Sequence, residues 1–331
     1  MTLLSTTARR TFTQALHHNS KILTTPKFSP VVNMTTAVFK HIDASAIPQG
    51  TRPWAKVDIE ATSFKLGDHT RPVNNIRGQE SEFTTDNSGF AVYNEPSNEK
   101  LFTDDAAVRG PYYQEIEDLL RKRIPGIKKV VIFDHTIRRR TPEAARAPVQ
   151  QVHVDQTPAA AEARVRRHLP ADEAEELLKG RFQIINVWRP IENPASDHPL
   201  AVIDWRSTKP DDFIPVDLLY PKRADFTVDK DDRGKEVRPD DSTRYSAEGY
   251  EVRGETMSVA PSDAHKYYYQ KDMTPDEVIL LKCYDSFGEG QPQGKAGIAV
   301  RTPHTAFIDP QTPKDAPPRQ SIEVRCLVFY E

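Results

Sequence analysis

Cysteine is nearly absent: 331 residues contain two, Cys283 and Cys326. Two are too few for a disulfide framework or a thiolate zinc site, and both stand in apolar runs. Each is expected as a buried free thiol in an intracellular-type protein. No run of eighteen apolar residues occurs, which excludes a helical membrane span. A basic surplus is missing as well. The 45 Lys and Arg are balanced by 48 Asp and Glu, a net charge of -3, and that excludes a dedicated nucleic-acid binder. There is no glycine-rich phosphate loop, no Gly-x-Gly-x-x-Gly turn and no Ser/His/Asp nucleophile arrangement, which removes NTPase, Rossmann and hydrolase readings.

Glycine is scarce at 14 copies and proline plentiful at 27, placed between apolar runs. The prolines punctuate the chain into short strands joined by loops. The clearest strands are expected at Lys129–Phe133, Gln151–Val154, Phe182–Trp188, Ala201–Trp205, Glu277–Tyr284, Gly297–Val300 and Ile322–Tyr330. Helices are expected at Pro111–Arg123, Thr157–Leu169 and Ala171–Lys179. The pattern describes a mainly β protein with flanking helices. From Met1 to Ile42 no acidic residue occurs, while Arg9, Arg10, Lys21, Lys27 and Lys40 are basic. Residues 1–36 read as a targeting-like or disordered segment, with mitochondrial delivery or a start at Met34 as the alternatives to a cytoplasmic chain. Residues 37–331 read as one domain, with a long irregular excursion at 204–253.

Chemistry concentrates at His153-Val154-Asp155. Residues two apart on a strand face the same side, so imidazole and carboxylate converge. Two histidines and one carboxylate on one face suit Fe(II) with coordination positions left open. The second histidine is expected at His304. Beyond it, Arg319, Ser321, Glu323 and Arg325 alternate with Ile322, Val324 and Cys326. A polar row against an apolar row near the C-terminus implies a polar cavity. A guanidinium in that row is suited to grip a distal carboxylate, with Ser321 adding a hydrogen bond; spacing does not choose between Arg319 and Arg325. An edge-strand ion pair and a loop histidine are the structural alternative. His265 is the rival ligand, but no Arg-x-Ser follows it. Substrate contacts are expected from Arg189, Asn186 or His135. Arg138–Arg140 read as a solvated charge run, and Tyr267, Tyr268 and Tyr269 as core before aromatic wall.

The order His153-x-Asp155, His304, Arg319-x-Ser321 resembles the Fe(II)/2-oxoglutarate oxygenases with a double-stranded β-helix (jelly-roll) core. The runs FDHTIRRR (133–140), HVDQT (153–157), NVWRP (186–190), YDS (284–286), PHTAF (303–307) and RQSIEVR (319–325) are similar to the CmcJ-like, cephem-methoxylase-related family, which includes the AsaB-like fungal hydroxylase/desaturases. The resemblance covers about Ala37 to Tyr330. It implies Fe(II) on His153, Asp155 and His304, 2-oxoglutarate on Arg319 and Ser321, dioxygen as oxidant, and hydroxylation or desaturation of a small secondary metabolite. A 2-oxoglutarate-independent iron oxidase, or a non-catalytic partner of a biosynthetic enzyme, would carry similar residues.

Overall fold

The computed structural model describes residues 34–139, 148–222 and 239–330. The expected N-terminal segment therefore lies outside the described residues except for 34–36, which already belong to the first strand.

In chain order the strands are β1 (Met34–Ile42), β2 (Trp54–Lys56), β3 (Leu66–Asn75), β4 (Phe90–Asn94), β5 (Ile127–Arg139), β6 (His153–Val154), β7 (Phe182–Pro190), β8 (Leu200–Ile203), β9 (Phe213–Pro221), β10 (Tyr250–Val259), β11 (Tyr267–Tyr269), β12 (Glu277–Asp285), β13 (His304–Ala306) and β14 (Gln320–Tyr330). The α-helices are α1 (Asp105–Ala107), α2 (Tyr113–Arg123), α3 (Pro158–His168) and α4 (Ala171–Leu177). A large sheet runs β1-β3-β11-β8-β13-β6-β10-β9-β2, and a smaller one β4-β12-β7-β14-β5. Phe90, Val92, Trp188, Ile279 and Leu281 of the small sheet pack against Leu200, Val202 and Tyr268 of the large one. This is the expected jelly roll.

The alternation in β14 decides which face does what. Ile322, Val324, Cys326 and Val328 are fully buried against Ile116, Leu119 and Leu120 of α2. Those three α2 residues share one helical face at i, i+3 and i+4. Burial of such a side chain contributes roughly 2 kcal/mol. The opposite face of β14 turns toward the large sheet. Helix α3 starts where the sequence says it should: Thr157 Oγ1 accepts from the Ala160 N–H at 3.0 Å, with Pro158 next. Cys283 and Cys326 are both buried free thiols, and no helix among the described residues is long and apolar enough to cross a membrane.

Two expectations are corrected. The stretch Gly297–Val300 is not a strand: Gly297 sits at φ +78°, and the Glu289 N–H closes a turn on the Ile298 carbonyl. Part of 204–253 is not irregular: β9 lies inside it and pairs antiparallel with β10 through nine registered residue pairs. Prolines 215 and 221 suggested a break. They lie outside Asp217–Leu219, the stretch that β2 pairs with on the far edge, where a missing N–H is tolerated.

One buried histidine ties the fold to pH. His41 is fully buried on β1; its Nδ1–H donates to the Val259 carbonyl at 2.9 Å and its Nε2 accepts from the Tyr267 hydroxyl at 2.6 Å. Burial, with His265, His69 and Arg71 nearby, pushes its pKa down to about 4. The unfolded chain takes up this proton below about pH 6.5 and the folded one only near 4, so folding stability falls as pH drops through that window. We expect about 2 kcal/mol of stability from this residue to be lost between pH 7 and 5. Urea midpoints at both values test it: His41→Gln should be less stable at pH 7 and show a shallower acid slope.

Candidate active site

Strands β6 and β13 are neighbours, with His304 registered directly opposite His153. Their rings lie 4.5 Å apart between centroids. Each Nδ1–H donates to a carbonyl two residues upstream, His153 to Gln151 at 2.8 Å and His304 to Thr302 at 3.1 Å. Each Nδ1–H is thereby committed to a backbone carbonyl, which turns both Nε2 atoms toward one point in space. Asp155, just past β6, completes the group. Its Oδ1 lies 3.4 Å from His153 Nε2 and 3.9 Å from His304 Nε2. One ligand atom from each residue falls within 4.8 Å of the others.

The charges follow from the geometry. Burial opposes ionisation of Asp155, but the hydrogen bond with His153 and the charges of His304 and Arg325 hold its carboxyl well below the usual range. Burial also opposes protonation of His153, and Asp155 overrides it, so its pKa is raised. His304 goes the other way, lowered by burial and by repulsion from His153.

Facing this group across the pocket is the polar row of β14, with Arg319 just before the strand. The two arginines differ sharply. Arg325 is saturated: Nη2 meets Glu323 at 2.7 Å, Nη1 meets Thr136 at 3.0 Å and Asp134 at 3.3 Å, and Nε lies 3.7 Å from Asp155. Burial alone would lower its pKa, but Glu323, Asp155 and Asp134 raise it. Arg319 is 4% exposed, and its guanidinium forms no salt bridge among the described residues. Its Nη1 donates to the His198 carbonyl at 2.6 Å, its guanidinium lies over Trp188, and its Nε has no partner. Burial and Arg138 lower its pKa to about 10, against the smaller opposing pull of Asp197 and Glu323. An unpaired guanidinium in such a place is costly without an anionic partner. Ser321, buried beside it, lines the same pocket.

Three residues expected at the substrate end up elsewhere or in another role. Arg189 stays on the α2 side of β7, registered with Ile322, its guanidinium over Tyr112 and its Nη1 on the Pro275 carbonyl. His135 also faces α2, bonded to the Tyr113 hydroxyl at 2.8 Å. The reason is a bulge at Phe133, the extra residue between the pairs Cys326↔Ile132 and Arg325↔Asp134. A bulge inverts the alternation, which sends Thr136 and Arg138 to the pocket and His135 away from it. Asn186 does reach the site, but its amide binds Asp155. Thr136, not singled out in the sequence, reaches the pocket through the same bulge. His265 is remote, paired with Asp212 and close to His41. Tyr267 and Tyr269 are core, and Arg140 lies outside the described residues.

The donor set fits a divalent ion: two imidazole nitrogens with oriented lone pairs and one ionised carboxylate. The unpartnered Arg319 Nε fits a carboxylate ligand opposite. A jelly roll holding this cluster against an arginine row defines the class of non-haem Fe(II)/2-oxoglutarate oxygenases. A family model described as an oxidoreductase/YMDC permease-like domain matches residues 42–329. The hydroxylase/desaturase efuI of Hormonema carpetanum is 33% identical, over 92% of this chain and 96% of that protein. The Fe(II)/2-oxoglutarate-dependent dioxygenase nvfI of Aspergillus novofumigatus is 33% identical over 81% and 85%. A solved structure of the iron and alpha-ketoglutarate-dependent endoperoxidase NvfI superposes with a TM-score of 0.71 at 29% identity, covering 91% of this chain and 99% of that one. The chain belongs to this oxidoreductase family of hydroxylase/desaturases and Fe(II)/2-oxoglutarate-dependent dioxygenases.

Proposed function

We propose that the protein is an Fe(II)/2-oxoglutarate-dependent oxygenase that hydroxylates or desaturates a small organic molecule of secondary metabolism. The observation that carries this reading is the convergence of His153 Nε2, His304 Nε2 and Asp155 Oδ1, with both Nδ1–H groups committed to backbone carbonyls. His153, Asp155 and His304 hold the metal. Arg319 takes the distal carboxylate of 2-oxoglutarate, with Ser321 adding a hydrogen bond, because Arg319 has donors to spare. Arg325 is committed to Glu323, Asp134 and Asp155, and its part is to keep Asp155 ionised and in place.

Bound Fe(II), together with 2-oxoglutarate and dioxygen, supplies the oxidising power needed to remove hydrogen from an unactivated C–H bond. The chain supplies position and shelter. Trp188, Leu200 and Ala306 wall the pocket with apolar surface beside the ligands and limit access of water. The names of the relatives support a small molecule as substrate. Purified protein supplied with Fe(II), ascorbate, 2-oxoglutarate and air should release succinate slowly even without substrate. Removal of iron by a chelator should abolish that release, and re-addition should restore it. Succinate release indifferent to the chelator would contradict the proposal.

A further inference from the structure

Asn186 stands on β7, registered opposite Arg325, and is fully buried. Its Nδ2 donates to Asp155 Oδ2 at 2.7 Å. An ionised carboxylate only accepts, so the amide must present its NH2; the flipped orientation would set two oxygens against each other. The amide Oδ1 is left buried without a partner. Such an orphan carries a desolvation penalty, which an apolar residue of similar size would avoid. Arg325 Nε approaches the same Oδ2 at 3.7 Å. The other oxygen, Oδ1, faces both histidine Nε2 atoms. The two carboxylate oxygens thus have separate surroundings, one bound by protein donors and one open to the ligand cluster.

We propose that Asn186, helped by Arg325, is a positioning residue that holds Asp155 as a one-oxygen metal ligand. The inference rests on reading the cluster as a metal centre and adds what keeps that centre open. Two imidazoles and one oxygen leave three positions of an octahedral ion vacant, enough for a chelating 2-oxo acid and dioxygen. A carboxylate gripping through both oxygens would leave two, and cosubstrate and dioxygen would then compete. Occupying Oδ2 with the amide N–H prevents that grip.

The test uses Co(II) as a stable probe ion, without turnover. Asn186→Leu fills the same space without the donor, and Asn186→Ala removes both. Each should bind Co(II) roughly tenfold to a hundredfold more weakly than wild type, the usual penalty for losing a residue that orients a metal ligand. The infrared difference spectrum on Co(II) addition, with aspartate carboxyl carbon isotopically labelled, reads the ligation mode directly. Wild type should show widely separated antisymmetric and symmetric stretches, as one-oxygen ligation requires, and the Leu variant a narrowed pair. A narrow pair in wild type overturns the proposal whether or not the variants fold. Folded variants with wild-type affinity and spectrum overturn it too. Failure of wild type to bind Co(II) at all overturns the metal reading beneath it.

Discussion

Replacing Arg319 with methionine should weaken 2-oxoglutarate binding by roughly a hundredfold or more while leaving the apo-protein at least as stable. The two halves of that expectation come from one fact: the guanidinium is buried, and among the described residues no carboxylate is hydrogen-bonded to it. Losing one partner of a desolvated charge pair costs about 2–5 kcal/mol of binding. In the ligand-free chain, the same guanidinium is held against its own hydration, with Arg138 repelling it. Methionine removes that strain and keeps most of the volume; what is lost is the Nη1 bond to the His198 carbonyl, the contact over Trp188 and the attraction of Asp197 and Glu323, which burial and Arg138 outweigh. A purely structural arginine would behave oppositely, with stability falling and binding unmoved. Calorimetric titration of 2-oxoglutarate onto Co(II)-loaded protein, beside thermal midpoints of the apo-proteins, separates the two. The matching change at Arg325 should be destabilising, because Glu323 and Asp134 would lose their partner.

Among the ligands, Asp155→Ala should be the most damaging, ahead of His153→Ala and His304→Ala. Asp155 supplies the only formal negative charge in the ligand set, and its carboxyl is held ionised far below neutral pH. One unit-charge attraction at 4 Å is worth about 4 kcal/mol at the effective dielectric of a protein. A dication in closer contact gains more. The alanine variant should therefore lose on the order of a thousandfold in metal affinity, with no measurable succinate release. The histidine variants each remove a neutral donor and keep the charge, so excess metal should partly fill them. Equal losses across the three would mean that ligand count, and not charge, sets the affinity.

The site was legible in the sequence wherever strand periodicity held without interruption. His153 and Asp155 two apart, and the alternation from Arg319 to Arg325, put the right side chains on one face, and the structure gathers them in one pocket. Legibility failed where a bulge or a partner sheet decides. Strict alternation through FDHTIRRR sends His135 inward, and only the extra residue at Phe133 turns it away. Which face of β7 meets the cavity depends on the sheet opposite, so the sequence favours Arg189 at the strand end while the structure turns Asn186 to the site. The edge strands were harder. In β1 the buried residues Thr35, Ala37, Phe39 and His41 alternate with exposed ones, a signal obscured by its continuity with the acid-free N-terminal segment. Strand β3, LGDHTRPVNN, has almost no apolar alternation. It is held by pairing with β1 on one side and β11 on the other.

The most direct test is an anaerobic titration of the apo-protein with Fe(II) and then 2-oxoglutarate, watching the visible region. The site described here predicts a weak metal-to-ligand charge-transfer band that needs both components and that Arg319→Met abolishes at the same concentrations. Iron binding with no band on adding 2-oxoglutarate would contradict the cosubstrate site, and no iron binding at all would contradict the centre itself.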